Sequence, residues 1–212
     1  MFTFKDGNIP VKGIENGKCL VDLPFEWAYD LNAYTLKHIE VRDMLYIFDD
    51  FCFDAMFCSF LYLYYVDTLN LSFFLGAAVN TLTKKYMQEN LLTLAQPSGY
   101  NYYFPGVYSL MIPWYDIADF YFSGHISTTI GFMYASYVIW CKMPHSKLAK
   151  WTFMFLMCFR IPYIWTVMTI TYTHFVIDFL SGIAMGCLSI LLAEKLIYYL
   201  EVKIEGKRTK DR

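Results

Sequence analysis

Charge is scarce in this sequence. Only 17% of its 212 residues are Asp, Glu, Lys or Arg, against 57% hydrophobic and 20% aromatic, a balance too apolar for an ordinary soluble domain. The net charge of -2 gives no reason to propose nucleic acid as a partner. Cysteine pattern is missing too. Cys19, Cys52, Cys58, Cys141, Cys158 and Cys187 are scattered, without a CxxC or a Cys/His metal spacing, and they read as small buried apolar residues. No metal and no cofactor is expected. The N-terminus lacks the basic-then-apolar layout of a secretory signal and is too acidic for a transit peptide. Neither an internal repeat nor a low-complexity tract is present.

What the chain has is a series of apolar runs separated by short polar breaks. They cover about 51–66, 69–83, 126–141, 151–172 and 174–199. A bilayer core needs ~20 apolar residues, so the first run recruits 46–48 or tilts. The expectation is an all-α integral membrane protein with about five transmembrane helices in one bundle. Residues 1–48 form an N-terminal extramembrane or interfacial segment, 49–200 the membrane-embedded domain, and 201–212 a basic cytosolic tail. Between 86 and 122 the chain is rich in Pro, Gly, Asn and Tyr and reads as a loop-rich lumenal lid.

Smaller features refine that picture. Within 26–48 an amphipathic helix would lie on the membrane, anchored by Trp27, Tyr29, Leu31, Tyr34 and Leu36. Asp49, Asp50 and Asp54 read as interfacial carboxylates paired with neighbouring loops. Gly182 and Gly186, with Ser181 and Ala184, offer small residues for close helix packing. The basic stretch 142–150 and the basic tail belong on the cytosolic side, leaving His125, His174 and the N-terminus on the lumenal side. The membrane of the endoplasmic reticulum or Golgi is the first expectation for location, and the mitochondrial inner membrane the second.

The chemistry lies in 119–178. An out-and-back pair of helices returns the chain to the side it left, so His125 and His174, 49 positions apart, face the same surface. His174 and Asp178 are spaced by one helical turn, which lets the carboxylate hold one imidazole nitrogen and leave the other as a lone pair. Such a pair activates a nucleophile or makes the His itself nucleophilic. Ser123-Gly124-His125 sets a second His at a helix start, where backbone amides favour an anion. One His to attack phosphorus and one to protonate the leaving oxygen complete a metal-free phosphoryl-transfer apparatus. All three groups are expected at an interface, within reach of water. Taken singly, each His also reads as a polar residue capping a helix.

Asp119, three residues, then Ser123-Gly124-His125, followed by His174-Phe175-Val176-Ile177-Asp178, resembles the two signature motifs of the type 2 phosphatidic acid phosphatase superfamily. The closer likeness is to its transferase branch, the sphingomyelin synthases and phosphatidylcholine:diacylglycerol cholinephosphotransferases, and it covers about 50–200. It implies that His174 takes the phospho-headgroup from a phospholipid as a phosphohistidine. Asp178 would orient His174, and His125 would serve as general acid and then base, with Asp119, Ser123 and Gly124 in support. The acceptor would be a diacylglycerol- or ceramide-like lipid.

The sequence departs from that pattern in its cations. Val167 and Met168 stand where the phosphatases carry Ser-Arg, and Ile126 replaces the Thr after Ser-Gly-His. Lys84, Lys85 and Arg160 are the remaining candidates to bind phosphate. A non-catalytic membrane subunit that keeps the fold with a degenerate site, working within a membrane protein complex, is therefore the second expectation. A lipid phosphate phosphatase is the third.

Overall fold

The computed structural model describes residues 22–67, 71–90, 104–110 and 123–210. Apart from 104–110 and the short turns between elements these are helical, and among them there is no strand. The elements are α1 (Leu23–Trp27), α2 (Tyr29–Lys37), α3 (Ile39–Asp67), α4 (Leu71–Asn90), α5 (Gly124–Lys142), α6 (Lys147–Phe155), a π-helical turn (Leu156–Arg160), α7 (Ile161–Ile170) and α8 (Val176–Lys210).

Local sequence explains several boundaries. Ser123 and Ser146 start α5 and α6 as N-caps, their hydroxyls accepting from the amides of Ile126 and Ala149. This satisfies one orphan donor at each helix start. The run Lys147–Ile170 contains Pro162, which has no N–H to give to the preceding turn. The wide π turn directly before it absorbs that lost bond without ending the helix.

Side-chain contacts fix the directions. Tyr163, Arg160 and Leu156 meet Leu45, Asp49 and the Phe53–Met56 turn respectively, so α3 runs antiparallel to α6–α7. Helices α5 and α8 run parallel, because Gly182 lies against Ser123 and Gly186 against Ser127. A Cβ on Gly186 would stand 2.8 Å from the Ser127 carbonyl oxygen and 2.9 Å from the Ile130 Cβ. The Gly-x-x-x-Gly spacing is thus what lets the two backbones touch. Helix α4 packs on both, with Gly76 facing Ile190 and Ala193 and with Asn80 donating to the Ser127 hydroxyl at 2.9 Å.

Polar groups are inside and apolar groups outside. Asn80, Ser127, Thr129, Ser136, Arg160, Thr171, Asp178 and Ser189 are buried, while Met44, Phe51, Leu180, Leu191 and Tyr198 are exposed. Two stretches, Lys147–Ile170 and Val176–Leu200, are long and apolar enough to cross a membrane, and only 28% and 39% of their most apolar windows is buried. Both are less buried than the core helix of a water-soluble fold.

The observed elements differ from the sequence reading at several points. Helix α4 does not stop at Lys84-Lys85 but continues to Asn90; lysine stems can lie along an apolar surface and need not end a helix. Helix α8 begins at Val176, not His174, and extends to Lys210. Of the cysteines described, Cys52 is buried but Cys58, Cys141, Cys158 and Cys187 are exposed on the outer faces, which suits weakly polar thiols in an apolar surround. Of the lid, 91–103 and 111–122 lie outside the described residues. The part described is tied to α3, where Asp54 accepts from the Ser109 hydroxyl at 2.8 Å and from the Leu110 amide at 3.1 Å.

Candidate functional site

The two motif segments meet. The Ser123 amide donates to the Asp178 carbonyl oxygen at 3.0 Å, so the start of α5 is bonded to the first turn of α8. Ser123 is fully buried there, its hydroxyl also 3.8 Å from the Met168 sulfur. Asp178 is fully buried as well, and one of its carboxylate oxygens stands 3.5 Å from Nδ1 of His174. His174 lies in the turn before α8, so the pairing does not come from a shared helical face. The same oxygen accepts from the Phe175 amide at 3.0 Å, the acidic half of a capping box. One carboxylate thus both ends the turn and faces the imidazole.

The turn itself is strained. Tyr172 has φ of 54°, a left-handed backbone that costs a non-glycine residue on the order of 1 kcal/mol or more. The N-terminal helices hold it in place. Tyr172 stacks on Phe25 with ring centroids 4.3 Å apart, and its hydroxyl donates to the Phe25 carbonyl oxygen at 2.5 Å. Burial, and to a lesser degree the nearby Tyr29, raises the Tyr172 phenol above its ordinary pKa, so it keeps the proton it donates. Asp22 accepts from the Val176 amide at 2.6 Å, and the Asn32 side chain donates to the Ile170 carbonyl oxygen at 2.8 Å. The free ends of α7 and α8 are therefore capped from the N-terminal segment.

His174 is consequently covered. Its side chain is 8% exposed, in a crevice bounded by Asp22, Phe25, Trp165, Met168 and Phe179. The crevice is too narrow to admit a water molecule. The expectation that His174 and Asp178 lie within reach of water is thus corrected: the α1 segment and the fold of α8 enclose them.

His125 occupies a different environment. Its ring meets Phe53 edge-on at 5.4 Å, and the Arg160 guanidinium lies over the same phenyl ring at 4.9 Å. Arg160 is completely buried and bidentate on Asp49, at 2.5 and 3.2 Å. The cation is thereby neutralised within the chain. Neither His125 nor Arg160 lines the crevice at His174.

The remaining candidates are placed as follows. Gly124 opens α5 directly after the Ser123 cap. Lys84 and Lys85 lie on α4, with side chains outside the described residues, and Asp119 lies outside them altogether. Among the described residues no three His, Cys, Asp or Glu side chains cluster as metal ligands. Sequence reasoning missed Asp22, Phe25 and Asn32. Asp22-Leu23-Pro24 carries the acidic cap and early proline of a helix start, but nothing local reveals that the Asp22 carboxylate caps α8, 154 positions away. Compared with known protein families, characterised proteins and solved structures, the chain matches none.

Proposed function

We propose that this chain transfers a phospho-headgroup, phosphocholine-like, between a phospholipid and a diacylglycerol- or ceramide-like acceptor, through a phosphohistidine, within a five-span membrane bundle. The observation that carries the reading is the Ser123–Asp178 backbone bond with His174 held against the Asp178 carboxylate. It joins both motifs at one end of the bundle, on a buried carboxylate that orients an imidazole. For the five spans, the support is the alternating direction of α3, α4, α5, α6–α7 and α8, with polar groups inside and apolar groups outside.

In this reaction Asp178 accepts from Nδ1–H and leaves the Nε2 lone pair of His174 to attack phosphorus. The phosphorus–oxygen bond to the lipid glycerol breaks, and His125 protonates the departing oxygen. The acceptor hydroxyl then gives its proton to His125 while its oxygen attacks phosphorus and the Nε2–phosphorus bond breaks. The crevice at His174 must widen first.

The test is transfer of a labelled headgroup between lipids in liposomes, without divalent metal. His174→Ala should abolish transfer. Asp178→Asn, which keeps the shape but not the charge, should lower it roughly 10²–10⁴-fold. His125→Ala should slow both steps, because a glycerol oxygen is a poor leaving group. Release of inorganic phosphate from phosphatidate without transfer would move the assignment to a phosphatase.

A second reading has its own observation. The Asp49 carboxylate already holds Arg160, and α1 already fills the space over His174, as in a bundle that keeps its fold as a membrane subunit. Absence of transfer with every lipid pair, together with loss of stability in all three variants, would favour it.

A further inference from the structure

The N-terminal helices are built inside out. On α2 the buried residues are the polar Asn32 and Thr35, at 4% and 3% exposure, while Trp27 and Tyr29 are 75% and 67% exposed. Leu31, Tyr34 and Leu36 are exposed beside them, and the apolar outer face continues in chain order through Ile39, Met44, Phe48 and Phe51 on α3. A helix wetted on its outer side shows the reverse pattern. Charges are interspersed on the same segment, at Glu26, Asp30 and Lys37. Trp and Tyr mixed with charge fit the headgroup zone better than the hydrocarbon core.

The inner side of the same segment performs one task. Asp22, Phe25 and Asn32 contact Val176, Tyr172 and Ile170, the turn that carries His174. Tyr172, in its left-handed conformation, is held there by Phe25, and a strained residue persists only while its surroundings enforce it.

We propose that α1–α2 is a strap whose outer face docks on the bilayer interface, and that this docking holds the strap closed over His174. The partner is a lipid surface. That choice follows from the continuity of the face with the apolar flank of α3. Any ligand that binds the strap in its closed position stabilises that position by mass action; lipid against Trp27, Tyr29 and Tyr34 does so here. When the strap leaves, Val176, Ile170 and Tyr172 lose their partners together, the turn relaxes, and His174 opens. The inference rests on the membrane-embedded reading of the bundle but not on the transfer chemistry.

Two measurements on the full chain in nanodiscs test it, neither of them an activity. The first is quenching of tryptophan emission by brominated lipid. With five Trp in the chain, Trp27→Phe should remove a measurable share of the quenchable emission. The second is the carbethoxylation rate of each histidine, read peptide by peptide by mass spectrometry, with the exposed His145 as internal standard. His174 should react slowly in the wild type. Combined Trp27→Ser, Tyr29→Ser and Tyr34→Ser should raise its rate at least tenfold, and the milder single Trp27→Ala several-fold, with His145 and His125 unchanged. Asp22→Asn, on the inner side, should raise it too. Emission that no lipid quenches at Trp27 would mean that this face meets water or a protein, and would overturn the docking. A wild-type rate at His174 in both outer-face variants would overturn the gating. Failure of lipid transfer with both measurements as expected would remove the transfer reading and leave the strap.

Discussion

At the scale of single residues, the sharpest commitment concerns Arg160. Its guanidinium is fully buried, bonded through two nitrogens to Asp49 and laid over Phe53. Breaking such a pair by removing one partner strands the other charge, at a cost of about 3–5 kcal/mol, whereas replacing both by apolar groups is often neutral. Arg160→Met should therefore lower thermal stability in detergent steeply. Arg160→Met with Asp49→Leu should recover most of it, and the double-mutant cycle should give a coupling of at least 1 kcal/mol. A phosphate-binding role for Arg160 makes the opposite demand: transfer lost with stability kept. The pairing was not legible in the sequence. Both charges are visible, but 111 positions separate them, and no periodicity links an acid inside α3 to a base in the π turn between α6 and α7. His174 and Asp178 were legible because they are near neighbours. Even so, their contact is made by a capped turn.

Among the elements, the helix contacts are set by glycines whose surroundings differ, and this ranks three substitutions. At Gly186 a Cβ would meet a carbonyl oxygen at 2.8 Å and another Cβ at 2.9 Å; at Gly182 the nearest atoms stand at 2.9 and 3.1 Å. These partners are backbone or branched side chain on α5 and cannot move alone. At Gly76 the nearest atom is 3.6 Å away, an ordinary contact. Gly186→Ala and Gly182→Ala should each destabilise by about 1–3 kcal/mol, Gly186→Ala the more. Gly76→Ala should be neutral or stabilise by up to about 1 kcal/mol, since alanine restricts the unfolded chain. Thermal unfolding in one detergent checks the order, and equal losses at all three positions would refute the close approach of α5 to α8. Small residues in an apolar run announced this packing, and the apolar runs announced the helices. The ends were less legible. Lys84-Lys85 reads as a stop, yet α4 passes through it, and α3 starts at Ile39, well before its apolar run.

For the whole molecule, the distribution of polarity and the direction of the helices make one joint prediction. Helix α8 has 35 residues, so it is roughly 50 Å long at 1.5 Å per residue, whereas a bilayer core is ~30 Å thick. With its N-terminal turn bonded to Ser123 at the His174 end, the surplus of about 20 Å projects from the other end and carries the basic residues Lys203, Lys207, Arg208 and Lys210. The parallel α5 ends at Lys142 at that same end, and Lys147 and Lys150 open α6 beside it. Two basic clusters, 53 positions apart from Lys150 to Lys203, are thus brought to one side by packing that neither cluster contributes to. In the proposed membrane bundle the positive-inside rule predicts that side to be cytosolic, with Leu23 at the strap on the other. In sealed vesicles carrying one introduced cysteine at a time, with the native cysteines removed, Lys150→Cys and Lys210→Cys should both react with an impermeant maleimide from the same face. Leu23→Cys should react from the opposite face. If Lys150→Cys and Lys210→Cys label from different faces, α5 and α8 cannot both cross in parallel, and the convergence of Ser123 with Asp178 in the membrane fails with them.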